Sequence, residues 1–270
     1  MPFTLSHAAA ALPFRRFKPI WPALVIGTFA PDIQYFIWIS DEDRSGHHFP
    51  GILLFTFPAA LLLLWVFEWC VKGPVMELLP DTIQRRLHDK TEPLSFRGGR
   101  RFASIVLWIV IGIATHVVWD SFTHGHTRVT ARWDLFSYRV PVPFHPPASV
   151  HALLQYASTV VGIVVLVGWL AVWYRATAPA PRASVRQLSS RRKAAVVLTM
   201  ALIATFVGYP LAMASLSGHE LPIKFELLAT TVFEAVTLVF CVQVLVYGLL
   251  RTFTGRFRRI PAAQLSEHGS

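Results

Sequence analysis

His116, Asp120 and His124 follow one another at intervals of four residues, so on a helix all three project from one face. Neutral imidazole and carboxylate together suit zinc, manganese or iron, and in apolar surroundings such groups are costly unless paired or ion-bound. A His116–Asp120 pair joining two helices would satisfy the same residues without a metal. Four more ligand-type residues, His7, Asp32, His47 and His48, stand outside that helix in sequence, and their convergence would favour an ion. His151 and Gln155 repeat the four-residue spacing, with Gln155 at least as suited to hydrogen bonding as to ligation. Glu234 falls inside another apolar block, where a carboxylate must be paired, protonated or functional.

The elements that must position these groups are membrane helices. The 270 residues are 54% hydrophobic and only 15% charged, with a mean hydropathy of +0.49, too apolar for an ordinary soluble domain. Apolar blocks at Gly51–Val71, Phe102–Phe122, Val150–Tyr174, Ala194–Leu216 and Phe225–Leu250 each reach roughly the 20 residues needed to cross a hydrocarbon core. The expected fold is therefore all-α, a polytopic transmembrane helix bundle of five spans. The stretch from Pro2 to Ile39, interrupted by Pro19, Pro22 and Pro31, is either a sixth span or a helical hairpin turning at Lys18 and Pro19. Helical rise favours the hairpin. It puts His7 roughly 16 Å and Asp32 roughly 21 Å from Lys18, and His116 roughly 22 Å from Arg101, all at one depth.

The expected organisation is a metal-site membrane domain over residues 1–174, a mobile cytoplasmic linker over 175–193, two further spans over 194–250, and a cytoplasmic tail over 251–270. A short surface helix is expected near Leu78–Leu87. The linker stretch is rich in Ala, Pro, Ser and Arg, the composition of a flexible connector.

A net charge of +10 invites a nucleic-acid reading, but the basic residues sit at the ends of apolar blocks and not on one soluble face. About 20 of the 25 Lys and Arg fall in Arg15–Lys18, Lys72–Arg101, Arg175–Lys193 and the tail after Leu250. By the positive-inside rule these are cytoplasmic, and the segments carrying Arg44, Arg128, Arg132, Arg139 and Lys224 face outward. That makes a multi-pass protein of the plasma or inner membrane with a cytoplasmic C-terminus and the cluster toward the outer half. Arg15, Arg16 and Lys18 follow the first apolar run instead of preceding it, so the N-terminus does not read as a signal peptide.

Several separated motifs occur in order: Pro2-Phe-Thr-Leu-Ser-His7, Gly27-Thr-Phe-Ala-Pro-Asp32, His47-His48, Ala114-Thr-His-Val-Val-Trp-Asp120 and Leu154-Gln-Tyr-Ala-Ser158. Together they resemble a bacterial membrane family known as domain of unknown function 4184, over most of the chain up to about Leu170. The Pro-Asp, His and His-x-x-x-Asp elements also look like those of inner-membrane metal-dependent hydrolases. More distantly, the order His7, Asp32, His47, His116, Asp120, His124, His151 is similar to the ligand order of zinc phospholipases C and single-strand nucleases. In those enzymes a final His-x-x-x-Glu completes a three-zinc site, where this chain has Gln155.

The resemblance implies one metal held by Asp32, His47, His116 and Asp120, with His48 adjacent and Asp120 bridging toward a second metal near His7. A third, at His124 and His151, requires Gln155 to replace the carboxylate. The cofactor is then a divalent metal, zinc before manganese or iron, one to three per chain, with Asp32 and Asp120 as catalytic carboxylates. The expected function is a membrane-embedded metal-dependent hydrolase, a phosphoesterase acting on a lipid or membrane-proximal substrate. Arg128, Arg132 and Gln155 are weaker candidates, for substrate contact, and membrane lipids, not nucleic acid, are the partners. An ion-coupled or metal transporter and a non-catalytic membrane protein with a structural metal remain the alternatives.

Overall fold

A computed structural model describes residues 4–17, 20–38, 47, 49–125, 127–143, 145–181, 183, 185, 188–217 and 225–254. His48, the Lys18–Pro19 turn and the tail beyond 254 lie outside the described residues. The protein is an all-α polytopic helix bundle, and five of its helices are long and apolar enough to cross a membrane.

The chain opens with a 3-10 helix, Thr4–Phe14. Helix α1, Trp21–Phe29, follows with Pro22 in its first turn, where a fixed φ and a missing N–H do no harm. The backbone then tightens into a 3-10 turn at Ala30–Asp32, around Pro31, and continues as α2, Ile33–Trp38. The first two helices fold back on each other: the Trp21 indole N–H donates to the Ala11 carbonyl at 2.8 Å. One continuous span would hold His7 and Asp32 about 37 Å apart, yet both side chains meet His116, His7 by stacking on its ring and Asp32 at 3.3 Å from its Nε2.

Helix α3, Phe49–Leu78, contains π-helical turns at Ile52–Thr56 and Phe67–Val71. Each lies just before a proline, Pro58 or Pro74, which cannot donate to the carbonyl four residues back and so disturbs the α-ladder. A short helix α4, Asp81–Arg86, occupies the expected surface position. Then come α5, Gly99–Thr123; α6, Arg128–Arg132; and α7, Asp134–Ser137. Strands β1, Arg139–Val142, and β2, His145–Ser149, pair antiparallel. This ribbon was not expected; prolines 141, 143, 146 and 147 exclude a helix there. Helices α8, Val150–Ala176, α9, Ser190–Ser215, and α10, Phe225–Phe253, complete the chain.

Two compact units share these elements. The first is drawn from Met1–Ile33, Arg44–Leu61 and Phe96–Ala171. At its centre α1 crosses α5 with Gly27 against Gly112: a Cβ on either would run into the other helix's backbone. Small residues permit this approach where lipid provides no hydrophobic drive between helices. Gly162 does the same for α8 against Ser6. Leu24, Ile105 and Ile109 are buried around the crossing.

The second unit is drawn from Gln34–Asp43, Leu62–Ser95 and Val172–Ser270. Its buried carboxylates meet fixed cations. Glu68 accepts from Lys72 at 2.5 Å and from the Leu94 N–H at 2.8 Å, and Glu77 accepts from Arg251 Nε at 2.9 Å. Lys193 donates to Asp81 and to the Leu79 carbonyl. The stretch expected as a mobile linker is held down at its described residues. Arg85 and Ala180 exchange two hydrogen bonds, Arg86 donates to the Tyr174 carbonyl, and Val185 is buried. Its backbone, not its composition, supplies those partners.

Candidate metal centre

Four side chains from three parts of the first unit meet at one point: Asp32 from the proline-tightened turn, His47 from just before α3, and His116 and Asp120 from α5. Each offers one ligand atom, and the four atoms lie within 4.8 Å of one another. Asp32 Oδ1 is 3.3 Å from His116 Nε2 and 3.6 Å from His47 Nε2. Asp120 Oδ2 is 3.2 Å from His116 Nε2 and 3.5 Å from His47 Nε2. The two imidazole nitrogens are 3.3 Å apart. An ion bound tetrahedrally at about 2.0–2.1 Å separates its ligand atoms by about 3.3–3.4 Å. Five of the six edges are thus already those of a small tetrahedral site, and this group can hold a metal ion.

The backbone sets the tautomer of His116. Its Nδ1 lies 2.8 Å from the Thr28 carbonyl, which only accepts, so Nδ1 carries the proton and Nε2 of the neutral ring presents a lone pair to the cluster. A carbonyl behind a histidine in this way is the usual outer support of a metal ligand. Thr28 was not among the expected residues. Its signal was indirect: it precedes Pro31 by three positions, where the ladder of α1 is bound to change.

Charge points the same way. Asp32 and Asp120 are buried, and among the described residues their ion-pair partners are histidines alone. Asp32 Oδ2, Asp120 Oδ1 and His7 Nε2 are buried and have no hydrogen-bond partner among the described residues. Two carboxylates among neutral imidazoles leave two negative charges to be met, by protons or by a divalent cation. For His47, which lies outside the spans, burial lowers the imidazole's pKa, but Asp120 and Asp32 outweigh it and leave it raised above 6.5.

The other expected ligands fall around this core. His7 stacks on the His116 ring with centroids 4.0 Å apart, and its Nε2 is 3.5 Å from Asp120 Oδ1. His124 Nδ1 reaches Asp120 Oδ2 at 3.6 Å from the end of α5. His151 is not brought into the group of four: its Nε2 meets the Ser149 hydroxyl at 2.8 Å, and its ring lies against Gly125. Gln155 is half-buried on α8, its carbonyl accepting from Ser158 and Thr159. Arg128 and Arg132 line a separate hollow beyond the end of α5. Glu234 is buried in α10 of the second unit.

A family described as Domain of unknown function (DUF4184) matches the chain over residues 1–252. The chain belongs to this family. No curated protein and no solved structure matches the chain. Membership in the DUF4184 family therefore brings no activity with it, and chemistry has to be argued from the cluster.

Proposed function

We propose that this protein is a membrane-embedded, zinc-dependent hydrolase, a phosphoesterase acting on a lipid or membrane-proximal phosphate. The convergence of Asp32, His47, His116 and Asp120 with edges of 3.2–3.6 Å carries the reading. Two imidazoles and two carboxylates suit zinc, with manganese or iron next. The chemistry such an ion would supply, held by Asp32, His47, His116 and Asp120, is Lewis acidity that would lower the pKa of water and offset charge on a phosphoryl group.

The chain's own residues have distinct tasks. His116, braced on the Thr28 carbonyl, fixes the direction of the site. Asp32 and Asp120 supply the negative charge that holds the cation. Asp120 also turns its second oxygen toward His7, which is placed to carry a proton to or from the site. His47 is the most exposed of the four, its side chain 15% accessible against 0–9% for the others, and marks the side from which a substrate would approach. By the charge distribution along the chain the site belongs to the outer half of a plasma or inner membrane, with the C-terminus cytoplasmic.

A structural metal is the second reading, favoured by the closed set of four ligands. Against it, structural zinc sites are typically thiolate-rich, whereas imidazole and carboxylate with extra histidines alongside are the ligands of hydrolytic centres. The deciding experiment assays the zinc-loaded protein on a phospholipid and on a soluble phosphodiester, beside His116→Ala and Asp120→Ala. Zinc-dependent turnover that disappears in both variants supports the hydrolase. Bound zinc without turnover on either substrate would leave the structural reading, and equally little metal in all three proteins would remove both.

A further inference from the structure

The turn after α5 is locked in place. Thr127 and Thr130 form a reciprocal capping box at the start of α6, each hydroxyl accepting from the other residue's backbone N–H. Their hydroxyls also donate backward, Thr127 to the Ser121 carbonyl at 2.6 Å and Thr130 to the His124 carbonyl at 3.0 Å. Arg128 and Arg132, four residues apart on this fixed turn, therefore project from one face of α6. They border a hollow of about 470 Å³ whose other walls are Phe122, Val129, Trp133 and Phe136. The aromatic walls are in contact, Phe122 with Phe136 at 6.0 Å and Trp133 with Phe136 at 6.5 Å between centroids.

Two features of this hollow call for a ligand. Both arginines are exposed, and neither guanidinium has a hydrogen bond or ion pair among the described residues. The apolar wall runs on along α5 as an uncovered stripe, with Val118 59%, Trp119 45% and Phe122 39% exposed on a helix apolar enough to span a membrane. Acyl chains would cover that stripe, and a phosphate would meet the two guanidinium groups, which suit it in geometry and charge. A choline head group would bring a cation of its own to the pair. We infer that the hollow at the end of α5 is a binding site for a phospholipid with a net negative head group, its chains along α5 and its phosphate between Arg128 and Arg132. This stands independently of the metal reading, since none of the six lining residues belongs to the cluster.

The test uses the full chain in vesicles of phosphatidylcholine, titrated with brominated phosphatidylglycerol or brominated phosphatidylcholine while tryptophan fluorescence is followed. The Trp133 contribution is the difference between the wild type and Trp133→Phe, a change that keeps the wall apolar. Brominated phosphatidylglycerol is expected to quench Trp133 at lower mole fraction than brominated phosphatidylcholine. Arg128→Gln or Arg132→Gln should weaken this preference about fivefold each, and the double variant about thirtyfold. Arg100→Gln/Arg101→Gln, at the opposite end of the same helix, should leave it unchanged. Equal quenching by the two lipids in the wild type, or a preference that survives in the double variant, would overturn the site. So would competition by inorganic phosphate as strong as that by unlabelled phosphatidylglycerol, which would mark a soluble-anion site.

Discussion

Two groups of buried carboxylates in this protein meet their charge in opposite ways. In the second unit Glu68 faces Lys72 and Glu77 faces Arg251, so each negative charge has a cation covalently built into the chain. In the first unit Asp32 and Asp120 face His7, His47, His116 and His124, with no Lys or Arg among their partners in the described residues. A Lys or Arg closes a site permanently, whereas a ring of imidazoles leaves room for a cation that comes and goes. The difference teaches that the second group holds helices together with charges of its own, whereas the first, on the proposed reading, is built to bind an ion.

Breaking the built-in pair should have the largest effect on stability. Arg251→Met leaves Glu77, whose side chain is fully buried, without its guanidinium, and is expected to cost about 3–5 kcal/mol. Unfolding in detergent would measure this, and metal content should not change. A metal loss equal to that of a cluster variant would erase the distinction between the two groups.

Chelation reverses the test. At a free ion concentration a hundredfold above Kd, the ion contributes about 2.7 kcal/mol to stability. A chelator should lower the melting temperature of the wild type accordingly, and should do nothing to a protein already lacking His116. A smaller change is expected for His7→Phe. The stacked ring on His116 is kept while Nε2 facing Asp120 is lost, so affinity should fall about tenfold, as for an outer-shell partner, with the ion still bound at saturation. Competition against a chromophoric chelator reads this directly.

The smallest effect is on pH. With the folded pKa of His47 raised above 6.5, the ion-free protein gains stability from the protonated imidazole below 6.5 and loses it as pH rises through the raised value. The ion needs the neutral ring, so its affinity should climb over that same interval and level off above it. Calorimetry at neutral pH in two buffers of different ionisation enthalpy should show proton release on binding. No buffer dependence would mean that His47 is already neutral or is not a ligand.

Much of this was legible in the amino-acid sequence because the relevant periods are long and regular. Five apolar blocks declare five spanning helices, the four-residue interval places His116 and Asp120 together, and helical rise alone brings His7 and Asp32 to their depth through a hairpin. What was hidden depends on backbone approach. The crossing of Gly27 on Gly112 brings the Asp32 turn against His116, but a glycine in an apolar helix does not say which helix it meets. The Thr28 carbonyl is invisible in a side-chain motif. His151 has the spacing of a ligand, yet its ring turns to Ser149, a choice made by the ribbon that precedes α8. The pairing of Glu77 with Arg251 joins residues 174 positions apart, beyond any local pattern.

The most direct test of the central claim is the metal content of the purified protein, measured by elemental analysis for zinc, manganese and iron beside Asp120→Asn and His116→Ala. The expected result is close to one divalent ion per chain in the wild type and next to none in either variant, with both variants still helical. Equal metal in all three, or none in the wild type after loading with zinc, would contradict a metal centre at Asp32, His47, His116 and Asp120.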